Sequence, residues 1–289
     1  MKVCITTIVT DNYYQLYLPL FIYVLRKEYP EYDVKTFIKG QISPQNQRAL
    51  DILGEKYKYI KPKTIFKDVP EIKSTINCLR FLVPEKYFQK YEYVIFVDVD
   101  LLLYRTKPTL FDWHLRRLKK IGSCYAGHHG PIRKKYRPEI SKAGWVGKFE
   151  RVSGGFFMVN QKWFKKTKKA RAHFMKKALQ AKLGGYREAD EVMLCNILKK
   201  SGLKVPPWGF KRILRGIHLG DFKPAMKKRY HSDKKLTKKI DPKCCKRFVE
   251  YNKDETWVKL IDTVCEEKHI KQVIVKAKKI LKQRSRKKW

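Results

Sequence analysis

The chain has 289 residues, 43% hydrophobic and 13% aromatic, enough apolar material to bury one large core and to exclude a disordered or fibrous polypeptide. Its 67 Lys and Arg against 27 Asp and Glu give a formal charge of +40, far more than solubility needs, which points to a polyanionic partner or an anionic surface. Residues 1–110 hold 17 basic and 12 acidic residues, 111–223 hold 28 and 7, and 224–289 hold 22 and 8, so the excess begins after the first third.

The chain opens on Val3 to Thr10, a β-branched run that predicts a strand rather than a basic, apolar leader. With no secretory signal expected, the expected compartment is the cytoplasm. Apolar spacing over 13–28 predicts a helix; its densest part, 16–25, is interrupted by Tyr17 and Pro19 and is too short to span a bilayer. Strand patterns at 34–38 and 57–60 flank a helix-like stretch at 44–54. Residues 71–90 look helical with a break at Pro84, and 93–97 form a continuous apolar run suited to a central strand.

Beyond Pro108, a short strand is expected near 122–126, then a basic loop over 128–149, whose length suits a functional segment. A second buried strand at 154–159 leads into a long basic helix, 161–183. A helix at 188–200, closed by Ser201-Gly202, and a strand at 212–218 follow. In 266–288, Ile270, Val273, Ile274, Ala277, Ile280 and Leu281 share one helical face opposite lysines. Alternating β and α elements predict an α/β fold with a mixed, mostly parallel sheet flanked by helices. The expected organisation is a domain over 1–224, divided into 1–110 and 111–224, with a basic helical extension over 225–289. Seven cysteines without a C-x-x-C pair read as reduced, apolar thiols rather than a zinc site, and Cys244-Cys245 as a loop pair.

The strongest chemical signal is Asp98-Val99-Asp100 directly after the strand 93–97. The period of two in extended chain puts both carboxylates on one side, where they can hold Mn²⁺ or Mg²⁺ with positions open for phosphates. Ligands bind at the carboxyl ends of strands in such sheets, and this pair lies at one. A second signal, Gly216 to Pro224, offers His218 as a nitrogen ligand, Gly220 for close backbone approach and Lys223 as a point charge for phosphate. Ser153-Gly154-Gly155 opens a buried strand with room for a ligand. Glu188, Asp190 and Glu191 begin a helix, where the macrodipole favours acids whatever their role.

The order of these signals resembles the nucleotide-sugar glycosyltransferases of the GT-A fold, in pattern those of family 8, which includes lipopolysaccharide galactosyltransferases and glycogenin. The resemblance covers about 1–224. It implies a nucleoside-binding turn at Thr7, Asp11, Asn12 and Tyr13, a basic residue facing the sugar diphosphate at Arg80, a metal triad of Asp98, Asp100 and His218, and further donor contacts at Gly154, Gly155, Gly220 and Lys223. The family's acidic helix start corresponds to Ala189-Asp190-Glu191, leaving the residue on the sugar's reactive face open between Asp190 and Glu191. The pattern departs at the His218 to Gly220 spacing, one residue short, at Ser153 for Asn, and at Ala225 for Trp.

The resemblance implies transfer from a nucleoside diphosphate sugar, a UDP-sugar, with Mn²⁺ or Mg²⁺ and with retention. The late basic excess falls on the acceptor side. One expectation is a glycan or glycolipid acceptor, with the helix 266–288 and the loop 128–149 against an anionic membrane at its inner face. Another is nucleic acid with modified bases, gripped by Arg133, Lys134, Lys135, Arg137, Lys142, Lys148 and the helix 162–182, as in phage DNA glycosyltransferases. A third is a non-enzymatic nucleic-acid-binding protein. Trp145, Trp163 and Trp208 are candidates for stacking on the acceptor, with buried packing expected for at least two.

Overall fold

A computed structural model describes residues 1–10, 13–57, 59–70, 75–132, 134–142, 150–183, 188–204, 216–222, 241–264 and 268–286. The first strand, β1 (Val3–Thr10), is followed by a 3-10 turn over Tyr13–Tyr17 and helix α1 (Leu18–Glu28), where Pro19 occupies the first turn, the place its missing N–H is tolerated. Strand β2 (Asp33–Lys39) and helix α2 (Pro44–Lys56) follow, α2 capped by the Ser43 hydroxyl, which accepts from the Asn46 amide.

Strand β3 is the two-residue Lys63–Thr64, displaced from the expected 57–60. Described helical structure in 71–90 reduces to α3 (Thr75–Leu79) and 3-10 turns at Arg80–Leu82 and Glu85–Tyr87, on either side of Pro84. Next come β4 (Tyr93–Val97), β5 (Leu101–Leu103), helix α4 (Leu110–Ile121), which ends at Gly122 in the left-handed region, and β6 (Tyr125–Ala126). The expected basic loop contains β7 (His129–Pro131) and α5 (Arg137–Lys142), and β8 (Glu150–Val152) follows it. Strand β9 (Phe156–Asn160) leads into α6 (Gln161–Leu179), followed by α7 (Ala189–Lys200) and β10 (Gly216–His218). Three helices close the chain: α8 (Pro242–Tyr251), α9 (Glu255–Val264) and α10 (Lys268–Arg286).

The sheet order is β3-β2-β1-β4-β9-β6. Strands β3, β2, β1 and β4 are mutually parallel, and β9 runs antiparallel to both β4 and β6. The mixed, mostly parallel α/β sheet expected from the sequence is therefore present. Alternation along each strand divides the core in two. Val3, Ile5, Ile95, Val97, Phe156 and Met158 point to one layer, and Cys4, Val94, Phe96, Phe157 and Val159 to the other. The first layer holds α1, α2 and the closing helices, and the second α3, α6 and α7.

The closing helices share the first layer's core. Cys244, Cys245, Phe248, Trp257, Leu260 and Val264 are buried, as are Val273, Ile274, Ala277, Ile280 and Leu281, the apolar face expected of the last helix. Trp257 sits against Tyr23, with ring centroids 5.3 Å apart, and each such side chain contributes about 1.5–3 kcal/mol by leaving water. A charged clasp adds direction: the buried Glu28 carboxylate accepts from Arg247 at 2.8 and 2.9 Å, from the Arg105 amide at 3.0 Å, and from the Tyr251 hydroxyl.

Candidate functional site

Strand β1 pairs with β2 on one side and β4 on the other, so the chain reverses direction of progress across the sheet at β1. The crevice beyond the carboxyl ends of β1 and β4 is where such sheets bind ligands. A cleft of about 280 Å³ lies there, lined by Thr7 to Thr10, Tyr14, Asn77, Arg80, Asp98 to Asp100, Gly155, Asp190, Glu191 and His218.

Buried apolar residues carry β4 through the core to Asp98, whose amide donates to the Gly155 carbonyl at 3.2 Å. The chain turns back, with the Leu101 amide donating to the Asp98 carbonyl at 3.0 Å, and β5 pairs antiparallel with β10, setting His218 opposite Leu101. That pairing brings a histidine more than a hundred residues away beside the two aspartates. Gly216 permits it, since a Cβ there would lie 2.4 Å from the Leu102 carbonyl oxygen. The Leu219 amide donates to the Asp100 carbonyl at 2.7 Å and locks the segment down.

His218 Nε2 lies 3.2 Å from Asp100 Oδ1 and 4.0 Å from Asp98 Oδ2, and one ligand atom from each of the three falls within 4.8 Å of the others. Donors about 2.1 Å from an octahedral ion are roughly 3 Å apart in cis and roughly 4 Å in trans, so this spread fits Mn²⁺ or Mg²⁺ after a small contraction. Two carboxylates and one imidazole are also a donor set such ions accept. Burial works to lower the His218 pKa, but Asp100 and Asp221 outweigh it and push it up to about 10. The protonated ring thus supplies positive charge among these acids.

The other end of the cleft is built from Arg80, Arg151, Glu188, Asp190 and Glu191. Arg80 donates to Asp98 Oδ1, to the Gly154 carbonyl at 3.1 Å and to the Asn77 carbonyl at 3.0 Å, and stands 3.7 Å from Asp190 Oδ2. Burial opposes its charge, but Asp98 and Asp190 prevail and raise its pKa. Arg151 donates to Glu191 and lies 3.6 Å from Glu188, while Glu191 Oε1 accepts from the Gly154 amide at 3.3 Å. Burial, together with Glu191 and Asp98, pushes the Asp190 carboxyl up to about 6 against the pull of Arg80.

The cleft therefore gathers Thr7, Arg80, Asp98, Asp100, Gly155, Asp190, Glu191 and His218. Gly154 and Gly220 do not line the cleft but pack directly against residues that do. A Cβ on Gly154 would sit 2.8 Å from Asp190 Oδ2, and one on Gly220 would sit 2.5 Å from Asp100 Oδ2 and 3.0 Å from His218 Cε1. Tyr13 begins the 3-10 turn after β1, while Asp11, Asn12 and Lys223 lie outside the described residues. Trp163 is fully buried in the second layer, and Trp145 and Trp208 lie outside the described residues. Tyr14, Asn77, Arg151 and Asp221 belong to the site but escaped the sequence reading. Asp221 stands inside the stretch 216–224, and Asn77 precedes Arg80 by one helical turn; Arg151 carries no local signal.

Among the described residues, no helix is long and apolar enough to cross a membrane. The exposed side of α6 carries Lys162, Lys165, Lys166, Lys168, Lys169, Lys176 and Lys177.

No family model and no curated protein matches the chain. Solved structures similar to it include galactosyltransferase LgtC in complex with donor and acceptor sugar analogues, at 16% identity over 65% of this chain and 69% of that one, with a TM-score of 0.41. Mannosyltransferase Ktr4p from S. cerevisiae in complex with GDP is similar at 12% identity over 69% and 68%, with a TM-score of 0.46. Core-mannan synthase A from Aspergillus fumigatus, in its Mn/GDP form, is similar at 11% identity over 68% and 69%, with a TM-score of 0.41.

Proposed function

We propose that the chain is a divalent-metal-dependent glycosyltransferase that moves a sugar from a nucleoside diphosphate sugar, a UDP-sugar, to a hydroxyl of a glycan or glycolipid. The observation that carries this reading is the meeting of Asp98, Asp100 and His218 at the carboxyl edge of β4, at one end of a cleft. Asp98 Oδ2, Asp100 Oδ1 and His218 Nε2 would hold Mn²⁺ or Mg²⁺, which when bound acts as a Lewis acid on the leaving diphosphate. Thr7 to Thr10 and Tyr14 line the side of the cleft assigned to the nucleoside, and the motif order alone assigns Asp11, Asn12 and Tyr13 to the same role. Arg80, with Lys223, supplies charge to the phosphates.

Between the two acids left open by the sequence, the contacts favour Asp190 as the group facing the sugar. Glu191 is committed to Arg151 and the Gly154 amide, whereas Asp190 keeps a raised pKa beside Arg80. Retention rests on the motif order alone. In this reading residues 1–224 carry the catalytic site, the helices of 225–289 brace it, and the enzyme works in the cytoplasm, with its basic surfaces turned to an anionic membrane.

A second acceptor is favoured by α6. Its seven exposed lysines include several at i, i+3 and i+4, an arrangement that costs a helix about 0.2–0.5 kcal/mol per like pair. A phosphate polymer such as duplex DNA with hydroxymethylated bases would offset that repulsion.

Release of nucleoside diphosphate from a panel of nucleotide sugars, with Mn²⁺ and again with chelator, tests the reaction. One donor should turn over slowly with metal alone, and Asp98→Ala or Asp100→Ala should lower that turnover at least about 1000-fold, about 4 kcal/mol, without unfolding the chain. Near-normal turnover in either variant would remove the metal role.

A further inference from the structure

His218 is held at both ring nitrogens. Nε2 faces Asp98 and Asp100, while Nδ1 lies 3.4 Å from Asp221 Oδ1, three residues further on. A neutral imidazole carries one proton on its two nitrogens, and the partner of one nitrogen decides which tautomer the other presents. Asp221 is well placed to make that decision because it cannot swing away. It sits in the 3-10 turn Leu219–Phe222, its side chain 8% exposed. Leu219 and Phe222 on either side are fully buried in the cluster that holds Ile274, Ala277 and Leu281 of α10. The Leu219 amide is bonded to the Asp100 carbonyl and β10 is paired to β5, so Asp221, His218 and Asp100 belong to one rigid unit.

Resting on the metal reading above, we infer that Asp221 is a positioning residue for the metal centre. Its Oδ1 accepts a hydrogen bond from the Nδ1–H of His218, fixes the ring's orientation and tautomer, and aims the Nε2 lone pair at the ion shared with Asp98 and Asp100. Outer carboxylates of this kind, acting on a ligating histidine, are worth about 10–100-fold in metal affinity. The closing helices reach the chemistry by the same route: α10 packs beneath the turn that carries Asp221.

Mn²⁺ titration followed by electron paramagnetic resonance, with ring-¹⁵N histidine NMR of the Mg²⁺-loaded protein, tests the assignment. His218→Gln identifies the ring signals of His218. Wild type should show a single tautomer protonated at Nδ1. Asp221→Ala should weaken Mn²⁺ binding about 10–100-fold and mix the tautomers, with its unfolding midpoint little changed. Asp221→Asn keeps an acceptor oxygen without the charge and should recover most of the affinity and the single tautomer. Mn²⁺ binding in Asp221→Ala equal to or tighter than wild type would overturn the proposal, because Asp221 would then only balance the charge of a protonated ring. No Mn²⁺ binding by wild type would overturn the metal reading itself, an outcome distinct from the first.

Discussion

At one end of the cleft Asp98, Asp100 and Asp221 surround a single imidazole, while at the other Glu188, Asp190 and Glu191 face two guanidinium groups, Arg80 and Arg151. The arginine end ties its acids to fixed cations and to the Gly154 amide, although burial still holds the Asp190 carboxyl up at about 6. The histidine end meets its acids with one titratable ring, held protonated against the effect of burial by Asp100 and Asp221. The difference is one of partners: one end sets its acids against permanent cations, and the other, on the metal reading proposed above, would exchange the ring's proton, released to solvent, for a divalent cation. Among the described residues, Arg80 links the two, through Asp98 and Asp190.

The largest expected break in this contrast comes from Arg151→Ala. Arg151 is 18% exposed at its side chain and leaves Glu191 and Glu188 facing one another when removed. Stripping one partner from a buried ion pair typically costs about 3–5 kcal/mol, so denaturant unfolding should show a loss near that size. Mn²⁺ affinity should change less than about twofold, since the triad keeps all its contacts. A metal affinity that fell in step with stability would show that the two ends are one network.

Much of this was legible in the sequence, for local reasons. Strands β1, β4 and β9 declare themselves through apolar runs, and Asp98 and Asp100 follow one directly. His218 was readable as a residue at the end of the expected strand 212–218, where β10 lies, but its approach to the aspartates depends on pairing with the three-residue β5, too short for any periodicity to reveal. Strand β3 escaped because Lys63–Thr64 is an exposed pair with no apolar run. The face of α10 shows how far a pattern reaches: Val273, Ile274, Ala277, Ile280 and Leu281 would look the same against a lipid surface or a protein core, and three-dimensional packing puts them in the core. Glu188 was readable as part of the acidic helix start, but Arg151, which meets Glu188 and Glu191 from β8 across to the start of α7, could not be found by pattern.

Two glycines sharpen the comparison, because each makes room for a different end. Gly220→Ala would drive a Cβ into Asp100 and His218, which must then part. Mn²⁺ affinity should fall about 100-fold, a loss comparable to that of an outer-sphere partner, while α1, α2 and the sheet keep their packing. Gly154→Ala presses instead on Asp190 Oδ2 and Phe81, so donor turnover should suffer with Mn²⁺ affinity intact. Equal effects of the two substitutions on Mn²⁺ affinity would erase the distinction.

The smallest effect is a pH dependence at the arginine end. Burial first, then Glu191 and Asp98, raise the Asp190 carboxyl to about 6 despite Arg80, above an ordinary aspartate near 3.9 in the unfolded chain. A carboxyl whose folded pKa is raised favours the fold while both states are protonated, and that contribution is lost as pH rises through the folded value. Wild type should therefore lose stability relative to Asp190→Asn between about pH 4 and pH 6, reaching a deficit on the order of 2 kcal/mol above that window. Urea unfolding of both proteins at pH 4 and pH 7.5 measures it: the midpoints should differ little in acid, with the variant ahead at the higher pH. Coincident curves at both pH values would mean that Arg80 compensates the Asp190 charge in full, and the ionised acid would cost the fold nothing.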